Sequence, residues 1–387
     1  MTPPTCEAAP LPSHPRLKPA LRRAWRSRDT VQLGITRSHA VVVGPLDTAT
    51  TSFIGLLDGT RGLPLLRQEA RAMGLPEGRA DAVVARLVAA GVIDDPWASA
   101  GPAALVRDDP GAMERLRADL AALSVRHPEP DAGLRLLGAR RAARVQVRGA
   151  GRVGTAVAAL LSAAGVGQVD VQDGGCVEPW DVLPAGTAPD QVGERRDAAA
   201  RRLVRSAAVA RRSPRAPAEP RGLSLVVLAP RDGLAVYAPE PDTAEPLITT
   251  GTPHLYAGVL EGTGVVGPLV VPGATCCAAC MAIRRAEREP GWPRLLAQWQ
   301  SGRRAPAPAC DAALATTVAG LAAAQALAFL DGGAPPSVGA RLELTLPGLA
   351  WDLRPIAPHP DCACATMTAS VAEYSSNSEG SQATMSG

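Results

Sequence analysis

The stretch VRGAGRVGTAVAALLSAAGVGQVDVQD, from Val147 to Asp173, constrains the fold more than any other part of the chain. It reads as a strand, a glycine turn, an apolar helix, a second strand and an acid that closes that strand. Gly149, Gly151 and Gly154 have the spacing G-x-G-x-x-G. In such a loop the first glycine permits the tight turn, the second lets a phosphate approach the backbone, and the third lets the helix pack on the strand. The helix N-terminus adds free N–H groups and the positive end of its dipole. Asp173 lies close to the offset of about 20 residues at which an acid meets a ribose. Glycines alone would be satisfied by a ligand-free turn, but the flanking strands and the placed acid favour a nucleotide pocket, present or ancestral. The loop by itself does not separate NAD from ATP.

The remaining pattern extends this start into an α/β fold, a Rossmann-like and mostly parallel sheet. LSLVVLAP is a continuous apolar run, as expected of a strand buried on both faces. DQVGERRDAAARRLVRSAA has a helical period. PHLYAGVLEGTGVVGPLVVPG reads as antiparallel strands around a Glu-Gly turn, and RLELTLPGLAWDLRPI as a late strand pair. Apolar residues make up 46% of the chain and aromatics only 3%, so the cores must be built of Ala, Val and Leu. ALATTVAGLAAAQALAFL is read as a buried helix, since no apolar run approaches the roughly 20 residues of a membrane span. No secretory signal is seen at the N-terminus. The formal net charge of +3, with signs interspersed, gives no case for nucleic acid or an anionic membrane as partner. A cytoplasmic protein is expected, and its eight cysteines then read as metal ligands or inert thiols rather than disulfides.

Residues 1–24 are Pro-rich and read as loose. TVQLGITRSHAVVVGPL follows as a β-hairpin turning at Thr36 to His39. Three short helical segments then end near Gly59, Gly74 and Gly91, as C-caps prefer, and VIDD closes the unit. A hairpin, three helices and a strand make residues 25–97 a winged-helix-like module. DNA binding is disfavoured, because Arg79 and Arg86 on the would-be recognition helix are balanced by Glu77 and Asp81. The hairpin edge could instead accept a peptide as an added strand, through Val31, Leu33 and Ile35 or through Val41 and Val43. Residues 98–143 read as a connector, 144–364 as the nucleotide-binding domain with its metal site, and 365–387 as a disordered tail.

TCCAAC supplies Cys277 and Cys280 as C-x-x-C, and HPDCACA supplies Cys362 and Cys364 as C-x-C. Two close thiolate pairs far apart in sequence suit a tetrahedral Zn2+ in a closed, structural four-sulfur site that staples the chain end onto the α/β domain. A redox dithiol at Cys277 and Cys280 is the alternative, and it leaves the second pair idle. Cys276 could replace Cys277 in the pairing. Cys6, Cys176 and Cys310 have no partner pattern.

Taken together, the glycine stretch, the DQVGERRDAAARRL helix, GPLVVPGATCCAAC and the closing CAC resemble the ThiF/MoeB family, relatives of the ubiquitin-activating enzymes. That resemblance implies binding of ATP and Mg2+, adenylation of a protein's C-terminal carboxylate, and a structural zinc. With AWRSRDTVQLGI, LLDGTRGLPLL and AAGVIDD, the N-terminal module is similar to the PqqD-like leader-binding module of ThiF-like partners of azoline-forming peptide cyclodehydratases. This second likeness extends over residues 25–364. It implies a ribosomal precursor peptide and a YcaO-like enzyme as partners, and a homodimer. Three departures stand out. The segment CVEPWDVLPAGTAPDQ lacks the Arg that active members carry after the acid. Arg196 stands where they have a catalytic Lys. Asp232 is displaced from the magnesium-binding position, where Ala229 and Pro230 lie. The resemblance therefore implies an inherited pocket with eroded catalysis, and an active adenylyltransferase is the competing reading. An NAD-dependent oxidoreductase lacks a recognisable catalytic His or Lys–Tyr arrangement.

Overall fold

The computed structural model describes residues 11–97, 109–209, 222–302, 307–348 and 350–364. The chain divides into two units, Met1–Arg141 and Ala142–Gly387.

The first unit begins with β1 (Arg16–Leu17), β2 (Arg23–Trp25), β3 (Val31–Leu33) and β4 (Val41–Val43), followed by α1 (Thr48–Gly55), α2 (Leu63–Ala72), α3 (Arg79–Ala89) and β5 (Ile93–Asp94). The hairpin of β3 and β4 forms with Val31 opposite Val43 and Leu33 opposite Val41. Asp47 caps α1 by accepting from the Thr50 N–H at 2.6 Å, and Gly74 and Gly91 take the positive φ of a helix C-terminus. The core is aliphatic around Phe53, Leu66, Val84, Leu87 and Ile93.

Three features differ from the sequence reading. Residues 11–24 are not loose: β1 pairs with β5, Arg16 opposite Asp94, and Lys18 Nζ donates to the His127 carbonyl at 2.7 Å. Residues 1–10 lie outside the described set. The hairpin is also not alone, because β2 pairs along the other side of β3 and makes it the middle strand of three. The segment read as a connector holds three helices, α4 (Pro110–Arg115), α5 (Arg117–Arg126) and α6 (Ala132–Ala142). Ser124 of α5 donates to the buried Asp94 carboxylate at 2.8 Å.

The second unit runs β6 (Arg144–Arg148), α7 (Arg152–Ala163), β7 (Gln168–Gln172), α8 (Arg196–Ala207), β8 (Leu225–Leu228), α9 (Leu234–Tyr237), α10 (Pro241–Thr249), β9 (His254–Leu260), β10 (Thr263–Val270), α11 (Ala278–Arg288), α12 (Trp292–Ser301), α13 (Ala312–Leu330), β11 (Ala340–Thr345) and β12 (Ala350–Pro355). Its sheet has the order β12-β11-β10-β9-β8-β6-β7. β7, β6, β8 and β9 are mutually parallel, and β9 to β12 form an antiparallel meander. The turn from β9 to β10 puts Glu261 and Gly262 at positive φ, as a two-residue hairpin requires.

β8 explains the continuous apolar run. Leu225 and Val227 pack into the core under α7 and α13, while Val226 and Leu228 pack into the core on the opposite face. By length and composition alone α13 is apolar enough to cross a membrane, which the sequence reading did not anticipate. One side of α13 is nevertheless core, with Leu314, Val318 and Ala322 in the main cluster and Gln325 accepting from the Ser337 N–H. Because β7 lies on one side of β6 and β8 on the other, the C-terminal end of β6 is a topological switch point, where open α/β sheets bind ligands. The glycine loop sits there. The expected tail, 365–387, lies outside the described residues.

Candidate nucleotide loop and cysteine cluster

The loop after β6 has the backbone that its glycines foretell. Gly149 sits at φ +107°, and a Cβ there would lie 1.9 Å from the Ala229 carbonyl oxygen at the end of β8. A Cβ on Gly154 would lie 2.0 Å from the Gly149 carbonyl oxygen. These two glycines are required by the close approach of backbone to backbone. Gly151 is different, since a Cβ there would meet only the Arg231 side chain, at 3.5 Å. It caps α7 with no side chain of its own, leaving that helix N-terminus to whatever lies over it.

Asp173, just past β7, points back at this loop. One carboxylate oxygen accepts from the Ala150 N–H at 2.8 Å. The other accepts from the Gly175 N–H at 2.8 Å and from Arg196 Nε at 2.9 Å. Burial opposes the charge, but the two N–H donors and the guanidinium outweigh it and hold the carboxyl below its usual range. Arg196, from the first turn of α8, also donates to the Cys176 carbonyl at 2.6 Å and lies 3.5 Å from the buried Asp181. Its guanidinium occupies the space beside Gly175, where a Cβ would fall 1.9 Å from Nη2.

A second arginine closes the arrangement. Arg231 Nε donates to Asp181 at 3.1 Å, its Nη2 pairs with Glu178, and its guanidinium lies 5.8 Å from the Trp180 ring centroid. Arg152, the first residue of α7, donates to the carbonyls of Trp180 and Cys310. Ion pairs thus run from Asp173 through Arg196, Asp181 and Arg231 to Glu178. Asp181 belongs to a short 3₁₀ turn, Pro179–Asp181.

Of the two residues put forward as catalytic, Arg196 is beside the nucleotide loop and ion-paired to Asp173. The Asp232 carboxylate accepts from the Leu234 N–H at 3.0 Å, at the start of α9. Arg231, Arg152 and Trp180 were missed. One signal pointed to Arg231: it follows the apolar run of β8 by three residues, and parallel strands on either side of β6 must end beside its loop. His254 is fully buried at the start of β9, with Nδ1 3.2 Å from the Thr252 carbonyl. Burial pushes its pKa down to about 4, so it is a neutral strand residue.

Cys277, Cys280, Cys362 and Cys364 converge. All four are buried, and their sulfurs lie within 4.8 Å of one another. The Sγ separations are 3.8 Å for Cys277–Cys280, 3.6 Å for Cys277–Cys362 and 3.3 Å for Cys280–Cys364. A disulfide needs about 2.05 Å. Tetrahedral zinc with Zn–S of about 2.3 Å puts its sulfurs about 3.8 Å apart, so the cluster is consistent with structural zinc. Burial and their sulfur neighbours push the Cys277 and Cys364 thiols up, while the N–H groups of His359 and Cys277 outweigh burial and hold Cys280 below the usual thiol range. Cys276 is buried outside the cluster, so Cys277 is the member of the C-x-x-C pair.

In the first unit, Val31, Leu33 and Val43 are buried in the core and Val41 is half-buried, whereas Ile35 is 70% exposed. With β2 and β4 on its two sides, β3 has no free edge. The part of the expected peptide surface running from Val31 to Leu33 is therefore corrected: the sheet's edges are β2 and β4.

A mixed sheet with a glycine loop at the switch point of its parallel half, and a four-cysteine cluster near the chain end, defines a Rossmann-like α/β protein. The chain belongs to the ThiF family, whose model matches residues 130–365. Among solved structures, Escherichia coli MccB with succinimide is similar with TM-score 0.64 and 15% identity, covering 90% of this chain and 99% of that one. E. coli MccB with AMPCPP and selenomethionyl MccA gives TM-score 0.63 and 16% identity, with the same coverage. The heterocyclase TruD gives TM-score 0.59 and 17% identity over 92% of this chain and 43% of that one. No curated protein sequence matches.

Proposed function

We propose that this protein is a non-catalytic or weakly catalytic member of a ribosomal-peptide modification system. It binds the leader of a precursor peptide and presents the peptide to a partner YcaO-type cyclodehydratase, in the cytoplasm and as a homodimer, with a structural Zn2+ at Cys277, Cys280, Cys362 and Cys364. The observation that carries the degenerate ATP pocket is the ion pair between Asp173 and Arg196. The acid that would take the ribose is already neutralised, and Arg231 lies over Gly151, where a phosphate would approach the backbone. Adenylation needs cationic groups free to stabilise charge on the reacting phosphate and a metal between phosphates. Arg196 spends its charge on Asp173 and Asp181, and the Asp232 carboxylate accepts from the Leu234 N–H. The likeness to TruD and to MccB solved with MccA supports a peptide as the ligand.

The leader adds as a strand to the outer edge of β4, where Val42 is exposed and α3 lies alongside, Arg86 donating to the Gly44 carbonyl at 3.0 Å. The test is fluorescence anisotropy with a labelled candidate leader peptide. The full chain binds it. A chain lacking residues 1–97, still folded by its melting curve, and a Val42→Asp variant lose at least tenfold in affinity. Undiminished affinity in the shortened chain contradicts the proposal.

The intact backbone of the glycine loop favours one second reading, an active adenylyltransferase acting on a peptide or carrier-protein carboxylate with ATP and Mg2+. Magnesium-dependent exchange of pyrophosphate into ATP, abolished by Asp173→Ala, would establish it.

A further inference from the structure

The second unit holds a cavity of about 350 Å³, lined by residues of α9, α10, α11, α12 and β11 and the segments beside them, none of them from the glycine loop or the cysteine cluster. Its floor includes the apolar side chains of Met281, Leu296 and Ile356, and its charged lining has four arginines, Arg284, Arg285, Arg288 and Arg341, against two acids, Glu240 and Asp242. Arg341 is the deepest of the four, its side chain only 11% exposed. It donates to the Tyr237 carbonyl at 2.7 Å and its guanidinium lies 4.7 Å from the Tyr237 ring centroid. The nearest carboxylate, Glu343, is 3.8 Å away and shared with Arg354. Arg341 Nε is buried and has no acceptor among the described residues, and the same holds for Arg285 Nε. Arg285 stacks at 4.1 Å on the Trp292 ring and reaches Glu289 through Nη2 at 3.3 Å. Of the other arginines, Arg284 is spent on the Ala357 and Pro358 carbonyls. Of the acids, Glu240 accepts from Gln300 at 2.9 Å.

A buried guanidinium with unmet donors costs stability unless an anion completes it. The aromatic faces fix both guanidiniums in place, and the planar fork matches a carboxylate. We propose that this cavity is a binding site for a carboxylate with an apolar body, the anion held by Arg285 and Arg341 and the body resting on Met281, Leu296 and Ile356. A free acid of this kind and the C-terminal residue of a peptide share that chemistry. A volume near 350 Å³ fits one residue-sized group.

Calorimetry on the full chain tests the site with N-acetyl-leucine, N-acetyl-leucinamide, the tripeptide Ala-Ala-Leu and inorganic phosphate. N-acetyl-leucine binds saturably, the amide at least tenfold more weakly, and Arg341→Gln and Arg285→Gln each lose at least tenfold. Arg285 is the more exposed of the two, so Arg285→Gln keeps the test valid if Arg341→Gln fails to fold. Tighter binding of Ala-Ala-Leu than of N-acetyl-leucine assigns the site to peptide ends, and the reverse to free acids. Equal binding of acid and amide, phosphate binding as tightly as N-acetyl-leucine, or full affinity in Arg285→Gln overturns the proposal. Leader affinity at β4 is read on the same variants and stays unchanged, so the site and the proposed function fail independently.

Discussion

The glycine loop and the four-cysteine cluster lie in one unit and are both written in short motifs, yet they have kept different things. The cysteine cluster is made of side chains: four buried sulfurs within 4.8 Å of one another, each offering one ligand atom. The glycine loop keeps its backbone, and its surroundings have filled with the protein's own charges. A site made of ligand atoms is lost when one side chain changes. A site made of backbone persists because Gly149 and Gly154 are demanded by packing, whether or not a nucleotide comes. Survival of the motif therefore says more about the fold in the second case than about function.

The largest effect expected is on the cysteine side. Cys280→Ser, or prolonged chelation, should abolish the zinc content proposed for the cluster, read by atomic absorption, and lower the melting temperature by about 10 °C or more, since structural zinc contributes folding energy directly. A variant that melts like the wild type would place the cluster on the same footing as the loop. Next, Gly149→Ala forces a Cβ to 1.9 Å from a carbonyl oxygen at φ +107° and should cost about 4 kcal/mol, enough to leave little soluble protein. Urea denaturation reads the difference.

His254 supplies a pH test of the same core. Its folded pKa of about 4 lies below its ordinary 6.5, so the unfolded chain binds the proton more readily. Its share of stability is whole above pH 6.5 and is lost as pH falls toward 4, by about 3 kcal/mol. Denaturation midpoints across that window should fall in the wild type and flatten in His254→Gln. The smallest effect sharpens the comparison most. Gly151→Ala meets only the flexible Arg231 side chain at 3.5 Å and should change stability by less than about 1 kcal/mol. If it proves as damaging as Gly149→Ala, the loop is one structural unit and the distinction between its glycines is lost.

Much of this was legible in the sequence because it lies in local patterns. The strand–turn–helix of Val147 to Asp173, the doubly buried LVVL strand, the Glu261-Gly262 turn and the pairing of Cys277 and Cys280 with Cys362 and Cys364 follow from spacing and period. What escaped is non-local or too short to carry a period. Arg16–Leu17 pairs with a strand of two residues some 75 positions later, and RAW gives no alternation that would announce β2 beside β3. The fate of Arg196 was legible as a change from Lys, but its bond to Asp173 spans 23 residues of loop and short 3₁₀ turns. Arg231 and Arg341 belong to no motif in the sequence, because only the folded sheet brings them beside Gly151 and Tyr237.

We propose that Arg196 and Arg231 occupy the space a nucleotide would need over the glycine loop. Calorimetry of the full chain with MgATP tests it most directly, alongside the double variant Arg196→Lys, Arg231→Ala. The account predicts no saturable binding by the wild type up to millimolar ATP, and recovered binding in the double variant. Micromolar affinity in the wild type, lost in Asp173→Ala, would contradict it.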